Sequence, residues 1–140
     1  MGVKKQKDDR SWRDSYYHKI FGLKAAREAE RVLPIFEKEC PNDNRPRNAI
    51  EAITAWAKDE RELGMEEVRK LSLDSHAAAR EAKTDAAKYA ARAAGHAVAT
   101  WHVPTHALDA PLYAQKAICA NKNKSFKNKD KKGKKPNGHQ

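Results

Sequence analysis

Strand-forming chemistry is scarce in this chain. β-Branched residues are few and no alternating apolar–polar stretch of useful length occurs, which argues against a sheet. Cysteine is limited to Cys40 and Cys119, far apart and at no metal-binding or redox spacing, so two reduced thiols are expected rather than a disulfide framework. The longest stretch free of Asp, Glu, Lys and Arg, residues 93–108, is too short to span a bilayer and holds three histidines and a proline; a transmembrane helix needs about 20 apolar residues. The N-terminus has no apolar segment of the signal-peptide kind. Together these absences predict a cytoplasmic protein with no membrane partner.

A basic domain is missing too, although the formal net charge is +10. Residues 121–140 carry eight lysines against one aspartate, and residues 1–10 carry four basic side chains against two acidic ones. The 110 residues between them hold 17 basic and 16 acidic groups. The body of the chain is therefore close to neutral, and specific nucleic-acid recognition by a basic fold is not expected.

What is abundant is helix-forming sequence, with alanine supplying much of the apolar content. The predicted class is all-α: a compact bundle of five to six helices with an Ala/Gly-rich central helix, in a domain of residues 19–120. Residues 1–18 read as a polar lead-in, with a short helix near residues 8–18. Residues 121–140, rich in lysine and asparagine, lack the apolar surface that offsets ordering entropy and are expected to be disordered. A first helix spans about Ile20–Glu39, with Pro34 expected to kink or split it. A second runs from about Pro46 to Leu63, with Ile50, Ile53 and Trp56 inward and Gly64 as its left-handed stop. The third starts at Glu66 and Glu67 and runs to about Lys83. The fourth runs from Asp85 to about Val103, ended by Pro104, and the last begins near Asp109–Pro111.

The fourth helix changes character halfway. Asp85, Lys88 and Arg92 give its first half a solvated face, whereas its second half carries no formal charge on any side. A helix apolar all round is buried all round, which makes it the central helix, with Gly95 allowing close approach of a neighbour. His96 and His102 then need hydrogen-bond partners or a metal, and His76 occupies a comparable place on the third helix. Satisfied core histidines are the preferred reading. A second reading makes His102 and His106 a metal-ligand pair joined by His76 or His96, although Pro104 interrupts the helix between them and no H-E-x-x-H motif supports it. A third makes a histidine a general base oriented by Asp43, Glu51 or Asp74, but no nucleophile or phosphate loop accompanies it.

Pro41–Trp56 is a charged turn opening into an amphipathic helix. Asp43 or Asn44 can cap the helix and Pro46 presets its first turn. Arg45 and Arg47 stand at the positive end of the helix dipole, an unfavourable place for cations unless an anion compensates. Asp43 and Glu51 can do so locally; alternatively the arginines present an anion- or carboxylate-binding surface to a partner.

Four blocks carry a resemblance. They are D-x-R-P-R-x-A-I-E-A-x-x-A-W (Asp43–Trp56), H-A-A-A-R-E-A (His76–Ala82), A-A-R-A-A-G-H-A-V-A-T-x-H-V-x-x-H-A-L (Ala90–Leu108) and Y-A-x-K-A-I (Tyr113–Ile118). With V-L-P-x-F-E (Val32–Glu37), this ordered set resembles the Imm-5-like immunity protein family, an all-α bacterial domain of polymorphic toxin systems. Its pattern falls on Asp43, Arg45, Pro46, Arg47, Glu51, Trp56, His76, Arg80, Arg92, Gly95, His96, His102, His106, Tyr113 and Lys116. Trp101 departs from it, standing where a small residue is more usual. The resemblance implies a non-enzymatic protein without a cofactor, binding a cognate toxin stoichiometrically, with homo-oligomerisation open. Asp43, Arg45, Arg47, Glu51 and Arg80 are the partner-contact candidates. The alternative is a small helical metal-binding protein or metal-dependent enzyme that holds a divalent transition metal through His76, His96, His102 and His106.

Overall fold

The computed structural model describes residues 15–133. Five helices follow one another: α1 (Tyr16–Glu39), α2 (Arg45–Ala57), α3 (Met65–Glu81), α4 (Asp85–Ala99) and α5 (His106–Gly133). No strand occurs among the described residues.

α4 is the axis of the bundle and packs against all four other helices. Alanine makes this possible: Ala86, Ala87, Ala90, Ala91, Ala93, Ala94, Gly95, Ala97 and Val98 are all buried. Side chains this short let neighbouring backbones approach closely, and α3 uses that proximity for hydrogen bonding. Ser75 Oγ donates to the Ala91 carbonyl at 2.8 Å and Ser72 Oγ donates to the Gly95 carbonyl at 3.0 Å. Larger side chains come from α1 and α2, which also pack against α4. Val32, Phe36 and Ile53 are fully buried and Trp56 nearly so, and burying each contributes about 1.5–3 kcal/mol.

α1 begins earlier than the periodicity suggests. Ser15 is its N-cap, accepting from the His18 amide, so Tyr16 and Tyr17 belong to α1 rather than to a separate lead-in helix. The rest of that lead-in falls outside the described residues. Pro34 neither ends nor splits α1. It lies on the exposed side of the helix, where water can take the carbonyl freed by the missing N–H.

The end of α2 differs from expectation. The helix stops at Ala57, and the residue with positive φ is Asp59 (62°), not Gly64. The Glu60 amide reaches back to the Ala55 carbonyl and the Asp59 amide to the Trp56 carbonyl, the paired bonds of a Schellman cap. Gly64, extended at φ −123°, is instead the N-cap of α3.

α4 likewise ends early, at Ala99, and residues 100–105 form turns before α5. Trp101 in this segment is buried, and its carbonyl accepts from His18 Nε2 at 3.2 Å. The His18 ring meets Trp56 edge-on. A large residue thus sits just past the end of α4 as part of the buried core, with α1 supplying a donor to its carbonyl.

α5 extends to Gly133, beyond the boundary at Ala120 that composition suggests. Cys40 and Cys119 are free thiols. Burial, with Glu39 next in effect, pushes the Cys40 thiol up from its ordinary value. Among the described residues, no helix is long and apolar enough to cross a membrane.

Candidate functional site

The turn before α2 is a closed electrostatic cluster. Asn44 stands at the N-cap but its side chain makes no capping bond. Asp43 takes that part: its Oδ1 accepts from the Arg45 amide at 3.1 Å and from Arg45 Nε at 2.9 Å, while Oδ2 accepts from Nη2 at 2.7 Å. Nη2 also reaches Glu81 at the end of α3, 2.6 Å away. These hydrogen bonds from the Arg45 side chain hold the Asp43 carboxyl below the usual carboxylate range. Arg47 makes a two-pronged pair with Glu37 of α1, both bonds 2.7 Å, and reaches Glu51 at 3.6 Å. The anions that offset the helix dipole are therefore intramolecular, and two of the four, Glu37 and Glu81, come from distant elements.

A second polar constellation lies where α3, α4 and the start of α5 meet. His76 stands on α3, Arg92 and His96 on α4, and His106, Asp109 and Tyr113 on the first turns of α5. Arg92 Nη1 lies 2.9 Å from His76 Nδ1. Because guanidinium only donates, His76 Nδ1 accepts and its ring is neutral. Burial first, then the neighbouring His96 and Arg92, pushes the His76 pKa down to about 4. The His96 ring stacks on Tyr113, centroids 4.9 Å apart and planes 9° apart, and meets the His76 ring edge-on at 5.0 Å. Burial and His106 lower the His96 pKa, with Asp109 opposing them.

His96 Nδ1 faces His106 Nδ1 at 3.1 Å, and Asp109 Oδ2 lies 3.0 Å from His106 Nδ1 and 3.6 Å from His96 Nδ1. The three atoms thus converge on one another, all on half-buried side chains. The structure brings together three of the four histidines that the sequence singles out. His102 is left out: it lies exposed in the turn after α4, because that helix ends three residues before it. The His102–His106 pairing is therefore not formed, and His106 pairs with His96. The acid beside the histidines is Asp109, not Asp43, Glu51 or Asp74; Asp74 pairs instead with Lys70 at 2.9 Å. Asp109 was legible only as a residue near the start of α5. Its role depends on how the 100–105 turn folds α5 back onto α4.

An open depression of about 470 Å³ adjoins this cluster. Four cations line it, Arg80, Lys88, Arg92 and Lys116, against a single acid, Asp85; Tyr89 and Tyr113 form its aromatic wall. Lys116 Nζ sits over both rings, 5.6 Å from the centroid of Tyr89 and 5.1 Å from that of Tyr113. Arg80 is exposed and makes no ion pair among the described residues. A second depression, about 310 Å³ between α1 and α2, takes in Arg47 and Glu51, but its three cations are matched by three glutamates.

Residues 18–135 match the family model described as "Imm-5 like putative immunity protein". The match covers most of the chain, which belongs to this family. Searches of curated proteins and of solved structures return no match.

Proposed function

We propose that this protein binds a cognate toxin domain one to one in the cytoplasm of the cell that makes it and neutralises the toxin by occluding its working surface. The observation that carries this reading is family membership across nearly the whole folded chain. The fold suits it: an Ala-packed bundle offers a rigid surface, and rigid surfaces lose little entropy on binding.

The same reading assigns different work to the arginines singled out in the sequence. Arg45 and Arg47 already have carboxylate partners within the chain, so a toxin would have to displace those bonds to use them. Arg80, in the basic depression beside Lys88, Arg92 and Lys116, is the stronger contact. Arginine and tyrosine are the side chains that most often dominate interface energetics, and a patch of one sign draws a partner of the other. An acidic face on the toxin domain is the matching chemistry.

The test is co-purification of the protein with the toxin domain encoded beside it, followed by titration calorimetry. A one-to-one complex is expected, weakened at least tenfold by Arg80→Glu/Lys116→Glu and little changed by Arg47→Ala. Absence of any complex with that domain would overturn the toxin assignment. A complex indifferent to the Arg80/Lys116 variant but lost with Arg47→Ala would move the contact surface to the turn before α2.

A further inference from the structure

We infer that His96, His106 and Asp109 form a binding site for a divalent first-row transition-metal ion, joining the last turn of α4 to the first turn of α5. The inference is independent of toxin binding and rests on donor geometry.

Three features carry it. The first is spacing. The donor separations are 3.1, 3.0 and 3.6 Å. A tetrahedral ion with metal–nitrogen and metal–oxygen bonds of about 2.0–2.2 Å places its ligand atoms about 3.3–3.6 Å apart. One ion therefore reaches all three atoms with adjustments of a few tenths of an ångström.

The second is proton accounting. An ionised carboxylate only accepts, and a neutral imidazole carries one N–H. If His106 Nδ1 bears the proton, that hydrogen must serve both Asp109 and the His96 lone pair. If His96 Nδ1 bears it, the His106 lone pair faces the Asp109 oxygen directly. The first arrangement shares one hydrogen between two acceptors and the second sets two lone pairs against each other, whereas a cation at their centre lets each atom contribute a lone pair.

The third is how the rings are held. His96 is wedged between Tyr113, stacked at 4.9 Å, and His76, edge-on at 5.0 Å. His106 and Asp109 lie three residues apart in the opening of α5, so one helical turn fixes their relative positions. Ring packing and helix geometry thus orient the ligands without the metal. Arg92 works against a second cation nearby, but its guanidinium is turned to His76 Nδ1, and the Asp109 charge offsets it.

Two imidazoles and one carboxylate are the ligand types of zinc sites with an open fourth position and of non-haem iron sites. His102 is not a ligand, which provides an internal control.

The experiment uses the full chain without a histidine tag. Zinc chloride is titrated calorimetrically, and cobalt(II) is titrated while its visible absorption is recorded. The expected result is one equivalent bound, intense cobalt bands of tetrahedral type, and a thermal midpoint raised by the metal. Asp109→Asn and His106→Ala, checked for native helicity by circular dichroism, should each weaken binding at least tenfold, and His102→Ala should leave it unchanged. No saturable binding by the wild type overturns the inference. So does binding that persists in both ligand variants, or that is lost equally with His102→Ala. Should His106→Ala fail to fold, the near-isosteric Asp109→Asn decides.

Discussion

Gly95 and His76 face each other where α3 crosses α4, so closely that a Cβ added to Gly95 would lie 2.6 Å from His76 Nε2. The imidazole cannot simply swing away. Its Nδ1 is bonded to Arg92 and its ring packs edge-on against that of His96, while Ser72 fastens the Gly95 carbonyl to the same helix. Gly95→Ala is expected to destabilise the fold by about 1–3 kcal/mol, the usual cost of overpacking. Urea denaturation measures it. Adding His76→Ala should recover part of the loss, and a double-mutant cycle with no coupling between the two positions would contradict this account.

Glu39, the last residue of α1, caps α4 from outside. Its Oε1 accepts from the Thr84 hydroxyl at 2.6 Å and the Thr84 amide at 3.2 Å, and its Oε2 accepts from the Lys83 amide at 2.5 Å. The Thr84 hydroxyl oxygen in turn accepts from the Ala87 amide at 3.2 Å. Glu39→Ala removes three acceptor contacts and should cost about 1–3 kcal/mol. Glu39→Gln keeps one carbonyl oxygen and should cost less. Equal midpoints for the two variants in denaturant would count against the capping role.

Asp43 contributes an acid-dependent component to stability. Its carboxyl titrates below its ordinary value of 3.8 because Arg45 donates to it. Between the depressed native value and 3.8 the unfolded chain binds the proton more readily, so stability rises with pH across that window. The contribution is complete above the unfolded value and disappears as pH falls through the native one. Asp43→Asn should flatten the dependence of the thermal midpoint on pH below about 4 and leave its shape above 5 unchanged.

Asp59 closes α2 with φ at 62°, a conformation costing a side-chain-bearing residue roughly 1 kcal/mol or more. Its salt bridge to Lys19 is largely exposed on the aspartate side and offsets little of that. Asp59→Gly is expected to stabilise the protein by about 0.5–1 kcal/mol, whereas Asp59→Val should destabilise it. Thermal melts of the pair test the Schellman cap, and the opposite order would contradict it.

The all-α class, a bundle of five to six helices and the central place of α4 were legible along the chain, because alanine periodicity and charge-free faces are local properties. The inner stripe of α2 was legible for the same reason: Ile50, Ile53 and Trp56 are all buried. Helix ends were read less well. Asp59 took the left-handed position in place of Gly64 because the Ala55 and Trp56 carbonyls were already within reach. α4 lost its last turn in the segment where Trp101 turns into the core beside His18, a residue whose partners lie in distant elements and whose burial no local pattern signals.

The sequence by itself determined the all-α class, the order of the main helices and which family the chain belongs to, since periodicity and ordered motifs are written residue by residue. Tertiary structure alone decided what the polar residues do. Glu37 and Glu81 reach Arg47 and Arg45, Glu39 reaches the start of α4, and Asp109 rather than His102 completes the histidine cluster. A side chain's partner is whatever the fold brings within about 3 Å, and a turn of six residues between α4 and α5 settles that choice where spacing along the chain cannot.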